Sequence, residues 1–228
     1  MGKLIAIEGT DGAGKGLQTS RLLERLQNLR VRVMRVSFPN YESESSALVK
    51  MYLRGDFGGV AEEVNPYAAA AFYAVDRFAS FQSWKEFYED DGVVVSNGYA
   101  GAIILADRYV GSNMAYQSTK FKRKAERDKF LNWLDDFEYK KLQLPRPDLT
   151  ILLDMPPEIS AMLRRNRKRD SDIHEANLAY LTESYKVYKE IAAKFGWKTI
   201  NCASGNFARS AIEIHEEIFN LVEEMLIN

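Results

Sequence analysis

Residues 4–29 leave little freedom of architecture. Leu4–Glu8 is an apolar run of strand length. Gly9-Thr-Asp-Gly-Ala-Gly14-Lys15-Gly16 follows it, and Gln18–Leu29 then sets Leu22, Leu23, Leu26 and Leu29 on one helical face. A loop of this kind, between strand and helix, turns successive backbone N–H groups into a concavity that binds phosphate oxygens. The helix N-terminus adds about half a positive charge. Glycine at 9, 12 and 14 permits positive φ and close approach of the backbone. Ala13, Gly16 and Leu17 complete the stretch expected against ATP, and Lys15 is expected to reach its terminal phosphates. The position after the lysine is Gly16 rather than Ser or Thr, so it offers no hydroxyl to Mg²⁺. Phosphates, waters and other side chains must then hold the metal. The spacing differs from G-x-G-x-x-G and no acid ends the second strand, which argues against NAD.

Three more apolar runs read as strands covered on both faces: Val31–Ser37, Ala102–Asp107 and Leu149–Asp154. Trp197–Cys202 is a weaker fifth. Helical patterns separate them. Asn65-Pro66 pairs an N-cap residue with proline at the first helical position, and that helix should run to about Tyr88. Pro156-Pro157-Glu158 opens another toward Arg165, and Glu175–Phe195 and Asn206–Leu226 read as the last two. Strands alternating with helices predict an α/β fold with a five-stranded parallel sheet flanked by helices in three layers. Gly92–Ala100 fits neither pattern; Asn97-Gly98 is compatible with a small hairpin or an irregular loop.

With 228 residues, one domain with elaborations is expected over 1–228. The 31 basic and 32 acidic residues nearly cancel, which speaks against a dedicated nucleic-acid binder. No apolar run is long enough to span a membrane. A single cysteine, Cys202, excludes an internal disulfide framework and fits a reducing compartment. Cys202, His174 and His215 offer no zinc-ligand spacing, and no G-x-S-x-G elbow is present.

Several segments together carry a family resemblance. They are Glu8-Gly-Thr-Asp-Gly-Ala-Gly-Lys15, Phe38-Pro39, Phe72-Tyr-Ala-Val-Asp-Arg77 and Asp107-Arg-Tyr-Val-Gly-Ser-Asn-Met-Ala-Tyr-Gln117. Pro147–Pro157, Arg164-Arg-Asn-Arg-Lys-Arg169 and Asp172-Ile-His-Glu175 follow. From Lys3 to about Cys202 the chain resembles the thymidylate kinases, a branch of the P-loop nucleoside-monophosphate kinases. The resemblance implies a P-loop NTPase fold with a lid at about 164–175. It implies transfer of the ATP γ-phosphate to a nucleoside monophosphate, most plainly dTMP to dTDP, with Mg²⁺, by a cytoplasmic homodimer.

Site roles follow residue by residue. Arg108 ends a buried strand, where ligands of open α/β sheets bind, and its planar fork suits an acceptor phosphate. The family pattern gives it that role and has Asp107 orient the acceptor or hold Mg²⁺ through water. Asp11, inside the phosphate loop, must point away from a triphosphate; the resemblance aims it at the acceptor's sugar. Tyr73 and Arg77 share a helical face. The pattern makes Tyr73 the ring that stacks on the base, with Phe72 as its neighbouring alternative, and Arg77 the base-reading cation. Phe38 is expected beside the acceptor, and Ser112, Asn113 and Gln117 along the pyrimidine edge. Gly12 occupies the loop position where some relatives carry a catalytic arginine, so Arg165 and Arg169 of the lid are expected to supply that charge, with Arg164 and Arg167 close by. Asn40-Tyr41 stands where an arginine usually follows Phe-Pro. That departure leaves room for another (deoxy)nucleotide or a deoxynucleoside as acceptor, or for a P-loop protein that binds nucleotide without turnover.

Overall fold

The computed structural model describes residues 1–90, 101–165 and 178–227. The expected Gly92–Ala100 insertion, and Arg167, Arg169 and His174 of the expected lid, lie outside the described residues.

Five parallel strands form the central sheet: β1 (Lys3–Glu8), β2 (Val33–Ser37), β3 (Ile103–Asp107), β4 (Leu149–Asp154) and β5 (Lys198–Asn201). Their order is β2-β3-β1-β4-β5. β1 lies at the centre, with Ile5 in register with both Leu105 and Leu149. The runs lack alternation because both faces are covered. Leu4, Ala6, Ile104, Ala106 and Leu152 pack into one core, while Ile5, Ile7, Ile103, Leu105, Ile151 and Leu153 pack into the other. The three-layer α/β expectation thus corresponds to two cores separated by one sheet.

The first core holds α3 (Pro66–Glu89), α4 (Val110–Ser118), α5 (Lys124–Asp135) and α7 (Leu178–Phe195) against the sheet. Trp84 and Phe130 are its large anchors, each worth roughly 2–3 kcal/mol of apolar burial. The second core holds α1 (Lys15–Asn28) and α8 (Ala211–Ile227), through Leu22, Leu26, Ile214 and Ile218. Asn65 caps α3 as its sequence suggests, accepting from the N–H groups of Tyr67 and Ala68. Two further helices are α2 (Ala47–Arg54) and α6 (Pro157–Arg165).

Three helices had no counterpart in the sequence pattern: α2, α4 and α5. In α4 nearly every residue is buried, so no amphipathic period exists to be seen. One boundary is corrected. The last helix begins at Ala211 rather than Asn206, because Gly205 takes φ 56° and turns a short antiparallel pair, β6 (Ala203–Ser204) and β7 (Phe207–Ala208). Among the described residues no helix is long and apolar enough to cross a membrane.

Candidate functional site

The phosphate loop leaves β1 and enters α1 with Gly9, Gly12 and Gly14 at φ 146°, 83° and 90°. Lys15 lies at its end, buried, with Nζ donating to the Thr10 carbonyl at 2.8 Å. Burial pushes its pKa down to about 8, and Arg108 nearby adds to the push. An ammonium so short of compensating charge favours the arrival of an anion. Leu17 is half exposed on the first turn of α1, and Ala13 is buried beneath the loop.

Glu8 is the foundation of the site. It ends β1, is fully buried, and accepts through Oε1 from the Tyr109 and Ser112 N–H groups at 2.8 and 3.0 Å. Its Oε2 accepts from Ser112 Oγ at 2.6 Å and Tyr188 OH at 3.3 Å. Burial raises its pKa, while Ser112, Arg108, the Tyr109 N–H and Lys15 work in the opposite direction. One carboxylate therefore joins the strand before the phosphate loop to the first turn of α4 and to α7.

Arg108 stands at the carboxyl end of β3 in the left-handed region, at φ 67°. Its backbone N–H donates to the Ile7 carbonyl at 3.0 Å, which pins this unusual conformation between adjacent strands. The guanidinium is ion-paired with Asp11 through Nη2. Nη1 donates to the Gly9 carbonyl at 3.1 Å and to Ser112 Oγ at 3.0 Å. Burial works against its charge, but Asp11, Tyr116, Tyr188 and Glu8 together outweigh that effect and hold its pKa well above the ordinary arginine value. Asp11 also accepts from Tyr116 OH at 2.6 Å. Its carboxylate thus faces Arg108 and Tyr116 in the adjoining cleft, as the electrostatic argument against a triphosphate partner requires.

The residues around Arg108 border a partly open cleft. Asp11, Phe38, Tyr73, Arg77, Arg108, Ser112, Asn113 and Gln117 all line it, together with Tyr41 and Tyr116. The structure thus gathers the acceptor-side residues expected from sequence into one wall system. Tyr73 faces the cleft, whereas Phe72 packs on Phe57 with ring centroids 5.3 Å apart. Gln117 is fully buried, and neither its Oε1 nor its Nε2 has a hydrogen-bond partner; Asn113 Oδ1 is likewise buried and unpartnered. Buried amides left this way are costly unless a ligand completes them.

Arg77 is more committed than its motif suggested. Glu138 takes its Nε and Nη2 at 2.6 and 2.7 Å. Other residues the sequence did not mark are Tyr188 and Arg35. Arg35 Nη2 binds Asp107 Oδ2 at 2.8 Å. A Cβ at position 16 would lie 3.2 Å from that same oxygen, so glycine there makes room for the Asp107–Arg35 pair. Glu8 and Tyr116 stood within recognised segments but carried no local signal of their partners. In place of the arginine expected after Phe38-Pro39, the Asn40 N–H is held by Asp76 at 2.9 Å.

The donor set fits Mg²⁺ held mainly by phosphates and water. Asp107 places a hard oxygen beside the first turn of α1, and no cluster of three metal-binding side chains occurs among the described residues. Arg165 ends α6, and Arg169 lies beyond the described residues.

Residues 7–218 match the family model for thymidylate kinase. The chain belongs to the thymidylate kinase family. The thymidylate kinase of Mycobacterium tuberculosis is 31% identical over 200 residues, covering 85% of this chain and 87% of that protein. A probable thymidylate kinase of Pyrobaculum aerophilum is 28% identical over 222 residues and covers 97% of each chain. The solved thymidylate kinase of Candida albicans shares the fold with a TM-score of 0.69 at 20% identity, over 98% of this chain and 92% of that one. As in the resemblance drawn from its motifs, this family member is a nucleoside-monophosphate kinase on a P-loop fold.

Proposed function

We propose that this thymidylate kinase family member transfers the γ-phosphate of ATP to dTMP, giving ADP and dTDP. One observation carries the reading. Arg108 touches both the phosphate loop, at Gly9 and Asp11, and the neighbouring cleft, whose lining includes Asn113, with its Oδ1 unpartnered, and Gln117, with its whole side-chain amide unpartnered. A phosphate-binding loop and a polar pocket shared by one arginine form a two-substrate phosphotransfer site.

In this reading the loop N–H groups and Lys15 hold the donor phosphates. Arg108 clamps the acceptor phosphate, Tyr73 stacks on the base, and Arg77, Asn113 and Gln117 read its edge. Phe38 and Ser112 shape the pocket floor, and Asp11 sits toward the sugar. The acceptor phosphate is largely dianionic at neutral pH, since its second pKa is about 6, so an oxygen of it attacks the γ-phosphorus without a general base. The new P–O bond forms as the bond to the β-phosphate oxygen breaks. When bound, Mg²⁺ would neutralise charge on the phosphates, with Asp107 as the side chain nearest to it. Arg165 and Arg169 are the proposed source of further positive charge from a lid. Two protomers are proposed to pair through α3, which packs Phe81 and Trp84 inward yet leaves Val75 and Phe78 partly exposed.

The test is a coupled ADP-release assay with ATP, Mg²⁺ and a panel of dTMP, dUMP, dCMP, dGMP, AMP, UMP and thymidine. Selective turnover of dTMP is expected. Turnover of thymidine without its phosphate, or of a purine monophosphate in preference, would refute the acceptor assignment. Silence across the panel with ATP still bound would refute catalysis.

A further inference from the structure

Glu138 has no part in the reading above beyond pairing with Arg77, yet its geometry controls two residues of the cleft. It lies on a π-helical turn, Asp136–Lys141, that continues α5, and it is fully buried. Oε2 accepts from Arg77 Nε at 2.6 Å, and Oε1 accepts from Arg77 Nη2 at 2.7 Å and from Asn113 Nδ2 at 3.0 Å. Asn113 Nδ2 also donates to the Ala70 carbonyl at 3.0 Å. Both amide hydrogens of Asn113 therefore have acceptors in the protein, while its Oδ1 has no partner.

An isolated asparagine can present either end of its amide to a ligand. This one cannot, because a carboxylate bound twice by arginine only accepts, and turning the amide would oppose Asn113 Oδ1 to Glu138 and to the Ala70 carbonyl. Arg77, fixed through Nε and Nη2, keeps Nη1 with only a 3.5 Å contact to the Tyr109 carbonyl. Both residues line the cleft, and the hydrogen-bonding capacity left over in this arrangement is an acceptor on Asn113 and a donor on Arg77. Holding α3 to the π-turn would not by itself require charge, since packed apolar side chains do that as well as a buried ion pair.

We propose that Glu138 is a positioning residue that sets the hydrogen-bond polarity of base recognition. By locking the Asn113 carbonyl and the Arg77 donor side by side, it matches a base that presents a ring N–H next to a carbonyl oxygen, as thymine and uracil do. It opposes cytosine, which presents a ring acceptor next to an amino group. The proposal rests on the cleft binding the acceptor base.

Glu138→Gln tests it, because the substitution keeps the shape, removes the charge and supplies an N–H, so that one of the two acceptors orienting Asn113 is lost while the Ala70 carbonyl remains. kcat/KM is measured for dTMP and for 5-methyl-dCMP, whose base differs in polarity but not in outline, with KM for ATP alongside. The wild-type enzyme should prefer dTMP by roughly 10- to 100-fold or more, the discrimination of one well-formed bidentate base contact. In Glu138→Gln that ratio should fall severalfold, through KM for dTMP, with KM for ATP unchanged; Glu138→Asp should recover part of it. A folded Glu138→Gln that loses both activities in equal proportion would overturn the proposal and leave the acceptor assignment standing. Wild-type protein inactive on every pyrimidine monophosphate would instead remove the acceptor assignment, and the proposal with it. A second measurement needs no variant. In wild-type protein carrying ¹⁵N-asparagine, both Asn113 side-chain amide protons should exchange slowly with solvent before substrate is added; rapid exchange of either would overturn the proposal.

Discussion

Lys15 carries a measurable conflict between stability and binding. Its ammonium is buried against the Thr10 carbonyl, and its pKa falls from 10.5 to about 8. The unfolded chain therefore binds more protons than the folded one between those values, and stability must rise with pH across that window. The charged form is penalised in full below about pH 8 and relieved as pH approaches 10.5. A shift of this size corresponds to a few kcal/mol at pH 7 and to less than half of that at pH 9.5. Lys15→Met removes the charge and keeps most of the volume, and it gives up one hydrogen bond worth about 1 kcal/mol. The variant should be more stable than wild type at pH 7, by about 2 kcal/mol, and close to it at pH 9.5. Urea denaturation of both proteins at the two pH values, in the absence of nucleotide, gives the comparison, since titrating groups distant from Lys15 cancel in the difference and its carboxylate neighbours stay ionised across this window. Turnover by the variant should fall at least about a hundredfold. A variant less stable than wild type at pH 7, or a difference that does not change with pH, would refute the account of Lys15 as a desolvated, undercompensated cation.

Arg108→Ala should lower turnover at least about a hundredfold while leaving the protein folded, with acceptor KM affected more than ATP KM in steady-state kinetics. Gly111→Ala should cost about 2 kcal/mol or more in denaturant melts, because a Cβ there would meet the Trp197 ring at 2.5 Å and Glu8 Oε1 at 2.7 Å. Cys202, fully buried and with its pKa pushed up to about 12 by burial, should react with a thiol reagent at neutral pH only as fast as the protein opens, and at once in denaturant.

Much of this arrangement was legible from local pattern, and what was not has a common cause. β1, β3 and β4 announced themselves because strands covered on both faces must be apolar throughout. Asn65-Pro66 fixed the start of α3 because capping is a local affair between neighbouring residues. The same reasoning failed at Asn206, whose neighbour Gly205 uses its positive φ for a hairpin turn, so the helix waits until Ala211. α4 was invisible as a helix because it is buried all round, although its residues had been marked for the site. The partners of the site residues were harder still. Arg77 meets Glu138 61 positions away, and Arg35 meets Asp107 72 positions away. Neither acid nor base carries a sign of the other; only the closing of the sheet and the π-turn brings them together. The loop was marked by its own spacing and the cleft-lining side chains by the family resemblance, whereas the groups that orient them were marked by neither.

The buried carboxylate of Glu8 has a consequence for how such an enzyme can be re-engineered. It is bonded at once to the backbone after β3, to the side chain of Ser112 and to the hydroxyl of Tyr188. Segments 8–15 and 107–117 are therefore not interchangeable parts. A chimaera that imports the second segment from a distant kinase, without a matching residue at positions 8 and 188, would bury an orphaned charge at the seam between its two substrate halves. Transplants in this fold should move in threes.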